Sequence, residues 1–287
     1  ELKKVFEVTS EIGVLVGLHA EDPDMVANQT NAVIMGNDLQ DYYASRADPV
    51  ESKAVEHAIG ILKHVEDARL HIVHLASAEA LKHIVEAKEN ALEVTAETCP
   101  QYLAFTHEDF DKIGTSLKCA PVVKTPDDRE ALWKGLENGS IDFVATDHAP
   151  CTNEEKESDI IWNVYNGISG VQWRMPYLFS EGYVKGKITL SQLVAITSTR
   201  AAKRFGLYPR KGAIAVGSDA DFVFIDPEKK TVVKGEEGFS KGKITPFENW
   251  TFTGKVMKTV VRGEVVYSIG EINMDYSYGK WIKRGYR

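Results

Sequence analysis

Four apolar runs recur along the chain, and each turns polar at its C-terminal end before a loop and a helical pattern. They are Val14 to His19 (VLVGLH), Leu70 to Leu75 (LHIVHL), Leu92 to Glu97 (LEVTAE) and Ile141 to His148 (IDFVATDH). Runs this apolar suit strands covered on one or both faces, and their alternation with helices predicts βα units in a parallel sheet. The helices between them are legible. Val50 to Val65 is charged on one side and apolar on the other, and Ser77 to Lys88 follows the second run. Pro126 to Asn138 precedes the fourth, opened by a proline and closed by Asn138-Gly139. Further helices are expected from Gly170 to Val184 and from Thr189 to Phe205. Past Pro209 the pattern changes. GAIAVGSDADFVFIDPEKKTVVKGEE and FTGKVMKTVVRGEVVYSIGEI are short β-branched runs separated by Gly, Asp-Pro and Lys-Lys turns, which predicts a small β module. The aromatic, basic tail MDYSYGKWIKRGYR shows no period and reads as solvated.

With 287 residues and 43% hydrophobic content, the chain is long enough for a barrel or for two domains. Its 42 acidic residues against 34 basic ones leave a formal charge of −8, with lysines and arginines scattered among acids, so no cationic surface for nucleic acid is expected. No apolar run reaches the roughly 18 residues of a membrane-spanning helix. Cys99, Cys119 and Cys151 are an odd set without a secretory leader pattern, which favours a reducing, cytoplasmic compartment over a disulfide framework. The opening ELKKVFEVTSEIG reads as an amphipathic helix already under way, so further sequence is expected upstream.

Reactive groups of parallel α/β folds sit at the C-terminal ends of strands, where the loops converge. The polar strand ends here are His19, His74, Glu97 and Asp147 or His148. Two imidazoles and a carboxylate are usual ligands of zinc or a similar divalent ion, and each can come from its own strand. Singly, each has an ordinary reading: His19 as a loop histidine, Asp147 as a cap or acceptor of backbone hydrogen bonds. His71 and His74 are three residues apart and point to opposite sides of a strand, so only one can face a common centre. His57, His64, His83 and His107 fall in helical or acidic segments and read as solvated; Cys151 reads as inert packing. An ion among His19, His74 and Asp147 points to hydrolysis, because a metal acidifies water while an adjacent carboxylate shuttles the proton. Asp147 is the candidate shuttle.

At these positions the sequence resembles the cyclic-amide branch of the amidohydrolase superfamily: hydantoinases, dihydropyrimidinases, allantoinases and dihydroorotases. GLHAED, IVHLAS, ETCPQYL, LWKGLENGSIDFVATDHAP, RMPYLFSEG and FGLYPRKGAIAVGSDADFVFID carry the resemblance, in order, over nearly the whole chain. The resemblance implies an α/β fold, the C-terminal part of a (β/α)8 TIM-like barrel over residues 1–209, with an appended β-sandwich portion over 210–270 and a tail over 271–287. It implies two divalent metal ions, with zinc the natural choice, in the whole enzyme. His19 and His74 match ligands of the more exposed ion, and Asp147 matches the aspartate that binds the buried ion and serves as general base and acid. Backbone groups near Ala120 and Asn166 match those that hold the ring amide. The family's HxH pair and bridging carboxylated lysine would lie upstream of Glu1, so open sheet edges are expected.

The implied partner is a small cyclic ureide or amide, in a homo-oligomer, with no nucleic acid or membrane. Cys151, where dihydroorotases carry a histidine, and Ala120, where they carry an asparagine, turn the expectation from dihydroorotase towards opening of allantoin or a hydantoin. The alternatives are dihydroorotase itself and a non-catalytic scaffold of the same superfamily. His19, His74 and Asp147 argue against the scaffold, since a decayed site has no physical need for all three.

Overall fold

The computed structural model describes residues 1–283, so the last four residues of the expected tail lie outside the described residues. Contacts divide the chain into two compact units, Glu1–Gln172 with Lys234–Glu248, and Trp173–Val233 with the chain from Asn249 onward. Each contains one sheet.

The first unit carries a four-stranded parallel sheet in chain order, β1 (Val16–Leu18), β2 (Leu70–Ile72), β3 (Val94–Thr98) and β4 (Phe143–Val144). Register runs straight across, with Val16 opposite Leu70 and Leu70 opposite Val94, so like positions share a face. Leu70, Ile72, Val94 and Ala96 are buried beneath the helices. Each fully buried branched side chain contributes about 1.5–3 kcal/mol. Beyond two of the strands the backbone turns left-handed, φ 43° at His74 and φ 45° at Asp147. Pairing still continues past the first of these, where the Leu75 N–H donates to the Glu97 carbonyl at 2.7 Å.

The crossover helices follow local chemistry. Val50–Leu62 and Ala78–Glu89 stand where helices were expected, the second opened by Ser77, whose hydroxyl accepts from the Ala80 N–H. Pro126–Asn138 begins with a capping box in which Thr125 and Asp128 satisfy each other's backbone N–H, and it ends at Gly139 in the left-handed conformation. The Lys234–Glu248 segment returns to this unit: Phe247 is buried against Phe105, their rings 4.8 Å apart. Gly242 rests directly on the Cys151 carbonyl, where any Cβ would collide.

The second unit carries an antiparallel sheet of β5 (Phe222–Val232), β6 (Thr251–Val261), β7 (Glu264–Ser268) and β8 (Glu271–Ile272), again in chain order. The expected Asp-Pro and Lys-Lys turns are not turns. Both lie inside β5, where pairing jumps from Asp226 opposite Lys255 to Lys230 opposite Thr253. Pro227 has no N–H to give the ladder, and the Asp226 carboxylate takes the Glu228 N–H instead. The helical stretches expected from Gly170 and Thr189 are present but loosen into π-helix at Leu178–Val184 and Ala195–Thr199. Tyr177 packs edge-on against Phe252, and the Ser180 hydroxyl accepts from the Thr253 N–H.

Both sheets are open, with β1 and β4, and β5 and β8, as their outer strands. No helix among the described residues is long and apolar enough to cross a membrane.

Candidate active site

His19 lies just beyond β1 and His74 just beyond β2, and adjacency of the two strands brings the imidazoles together. His19 Nδ1 is 2.9 Å from His74 Nε2, with the rings edge-on at 71°. His19 Nε2 lies 2.8 Å from the carboxylate of Glu21, which Arg46 grips at 2.5 Å. Burial pushes the Glu21 carboxyl up, but the His19 hydrogen bond and the Arg46 guanidinium outweigh it and hold the group below its usual range. Glu21 is the orienting group that the sequence reading missed. Its signal was an acid two residues after His19; Arg46 had none.

This geometry decides the His19 tautomer. A carboxylate can only accept, so His19 Nε2 carries the hydrogen and His19 Nδ1 offers a lone pair towards His74. If His74 places its hydrogen on Nε2, its Nδ1 remains a buried acceptor with no partner among the described residues. If the hydrogen sits on Nδ1, two lone pairs face each other. That second arrangement is the one a cation between the two nitrogens would satisfy, because both lone pairs then point at it. The donor chemistry fits: neutral imidazoles, one oriented by a carboxylate through its other nitrogen, are how proteins present histidine to zinc. Burial, reinforced by the neighbouring His19, pushes His74 down to about 4, so it is neutral at physiological pH.

Asp147 stands at the tip beyond β4, two strands away from β2. Surrounding protein raises its carboxyl, while the nearby His19 pulls in the other direction. Among the described residues, no three histidine, cysteine, aspartate or glutamate side chains converge closely enough to hold an ion by themselves. The chain thus presents two donors together and a carboxylate within their field. His148 turns away, its Nδ1 accepting from the N–H groups of Gly170 and Val171 at 3.1 and 3.3 Å. His71 is buried between Thr95 Oγ1 at 2.8 Å and Glu97 Oε2 at 3.2 Å, stacked on Phe143, so His74 alone of the pair meets His19.

The positive φ at His74 and Asp147 is informative. Non-glycine residues adopt it at a cost of about 1–3 kcal/mol, and aspartate and histidine tolerate it better than most. Two of the three candidate residues share that backbone.

Ala120 and Asn166 are brought together by the Gly167 N–H, which donates to the Lys118 carbonyl at 3.1 Å. Neighbouring carbonyls are held firmly: Cys119 by the Tyr42 hydroxyl and Pro121 by the Tyr102 hydroxyl. Cys151 is a half-buried free thiol. Burial raises its pKa, as befits packing rather than reactivity.

Titratable groups on the C-terminal tips of parallel strands define an α/β protein of the kind that carries its site on strand-end loops. The sequence pattern of the amidohydrolase family matches residues 1–266, and the chain belongs to that family. It is 34% identical over 251 residues to an allantoinase of Rubrobacter xylanophilus, covering 86% of this chain and 55% of the relative. It is 32% identical over 288 residues to an L-hydantoinase of Paenarthrobacter aurescens, covering 99% of this chain and 63% of the relative. The crystal structure of a dihydropyrimidinase from Brevibacillus agri superimposes with a TM-score of 0.95 at 33% identity, over 99% of this chain and 63% of that one. The chain thus spans 55–63% of the length of these relatives.

Proposed function

We propose that this chain forms the C-terminal part of a metal-dependent hydrolase that opens a cyclic amide, a five-membered ureide such as allantoin or a hydantoin. The observation that carries it is the pairing of His19 Nδ1 with His74 Nε2 at 2.9 Å, oriented by Glu21, with Asp147 in the same field. The relatives named allantoinase and hydantoinase support the substrate class. Residues 1–209 are read as part of a (β/α)8 barrel, 210–270 as a β-sandwich portion and 271–287 as a tail.

His19 and His74 would hold a divalent ion such as zinc, which when bound polarises a carbonyl and acidifies water. Glu21 fixes the His19 ring, and Arg46 fixes Glu21. Asp147 takes a proton from the water that attacks the ring carbonyl and returns it to the nitrogen as the C–N bond breaks. Its raised proton affinity is in the direction such a shuttle requires. Backbone groups of Ala120 and Asn166 hold the ring amide.

The test is metal analysis of the natural protein together with ring-opening assays on allantoin, hydantoins and dihydropyrimidines. Bound metal and turnover of at least one ring are expected. A protein with neither would end this reading.

A further inference from the structure

Two buried lysines stand beside the loops just described, and neither has a carboxylate partner among the described residues. Lys118 and Lys156 are 1% and 2% exposed. Lys118 Nζ donates to the carbonyls of Ile161 and Val164 at 2.6 and 2.5 Å and lies over the Tyr42 ring. Lys156 Nζ donates to the carbonyls of Lys118 and Tyr165 at 2.9 and 3.0 Å. A buried ammonium costs several kcal/mol unless its donors are met, and here backbone carbonyls meet them.

The carbonyls are not scattered. Lys118 stands two residues before Ala120, and Tyr165 stands one before Asn166. The Lys118 carbonyl accepts from both Lys156 and the Gly167 N–H, so three segments converge on one oxygen. By contrast, no hydrogen bond engages the peptide groups of Ala120 and Asn166 themselves among the described residues. Residue 165–171 backbone is joined in turn to the Asp147 tip, through the bridge of His148 with Ile168 and the Ala149 N–H on the Ile168 carbonyl.

We propose that Lys156 is a positioning residue that fixes the spacing between the uncommitted peptide groups of Ala120 and Asn166, and so the width of the substrate cradle beside Asp147. The proposal rests on the cyclic-amide reading above. Lys156 touches no substrate; it acts through the Lys118 and Tyr165 carbonyls. A cradle set by a buried cation is rigid, and a misplacement of about 1 Å at such a cradle is costly to binding.

Lys156→Met keeps the length and removes the charge, and Lys156→Arg restores a cation. In the natural protein with its metal, Lys156→Met should raise KM about tenfold or more with kcat changed less than about threefold and metal content unchanged. Lys156→Arg should recover part of the KM. Hydrogen exchange should quicken in peptides covering 117–122 and 164–170 of the Met variant, at the Gly167 N–H above all. If Lys156→Met expresses poorly, the same kinetic and exchange comparison on Lys156→Arg decides, because the larger planar guanidinium can bond both carbonyls only at a changed spacing. A wild type that turns over a ring while the variants keep KM within about twofold and unchanged exchange would overturn the clamp alone. A wild type with no ring turnover would overturn the substrate reading and the role of the clamp with it.

Discussion

The two sheets of this chain are built to opposite ends. The parallel strands are two to five residues long, fully buried at β2 and β4 and only partly at β1 and β3, and the candidate residues follow their tips. In the antiparallel sheet β5 and β6 each run eleven residues, and Val223, Phe224 and Val232 remain 46–51% exposed. Length in one sheet goes with a pairing broken by register shifts; in the other the pairing is short and unbroken, and side chains are presented just beyond it. Ordered ionic chemistry divides the same way. Around the parallel sheet, burial forces charges into defined partnerships: Glu21 with Arg46, and Glu51 with Lys124. On the antiparallel sheet the ion pair of Lys229 with Asp226 lies in water and contributes little.

That contrast can be broken most sharply at Asp147. Asp147→Asn should lower kcat by about 10²–10⁴, with circular dichroism unchanged, because asparagine tolerates the same left-handed backbone but cannot accept the proton. Loss of fold instead would mean that the tip is structural.

Next comes Lys124, whose Nζ lies 3.8 Å from Glu51 and 3.6 Å from Asp48 and donates to the Arg46 carbonyl. Glu51 in turn accepts the Ala76 N–H, two residues beyond His74. Burial pushes Glu51 up to about 7, and the adjacent carboxylates outweigh burial to raise Lys124. Lys124→Met leaves Glu51 buried without its cation, and urea unfolding should show a loss of about 3–5 kcal/mol.

Acid comes third. His74 sits at about 4 instead of 6.5, so the folded metal-free protein binds fewer protons than the unfolded chain between those values. Its contribution to stability is fully present above pH 6.5 and is lost as the pH falls through 4, about 3 kcal/mol in all at 1.36 kcal/mol per pH unit. Glu51 acts oppositely, its contribution present below 4.5 and lost as the pH rises through about 7. The clean measurement is therefore the difference between wild type and His74→Asn across that range. The wild-type advantage should shrink towards pH 4; a constant difference would remove His74 from the account.

The smallest effect belongs to the antiparallel sheet. Val223→Thr, β-branched for β-branched at an exposed position, should change unfolding free energy by less than about 0.5 kcal/mol. A larger loss would show that this sheet, too, is held by packing.

Much of the parallel sheet was legible because apolar runs and helix signals are local. The Thr125-Pro126 start and Asn138-Gly139 stop bound a helix to the residue. The strand tips were not: LHIVHL looks continuous, and nothing local says that the backbone reverses handedness at His74. The Asp-Pro of β5 misled for the opposite reason, since a turn dipeptide was absorbed as an irregularity once β6 offered a partner strand. In the site, His19, His74 and Asp147 could be chosen by position at strand ends. Lys118, Lys124 and Lys156 could not, because a lysine's expected place is in water and only tertiary packing removes it. Arg46 escaped for the same reason.

The left-handed tips at 74 and 147 impose two separate filters on what evolution or a library can place there. Glycine, asparagine and aspartate pass the conformational one easily; under the proposed function the chemical one admits an imidazole at the first tip and a carboxylate at the second. An alanine scan fails both filters at once and so exaggerates the chemistry. A saturation library should instead sort into two tiers, with glycine and asparagine variants folded but silent and β-branched variants scarcely accumulating. The gap between those tiers separates what the backbone demands from what the reaction demands.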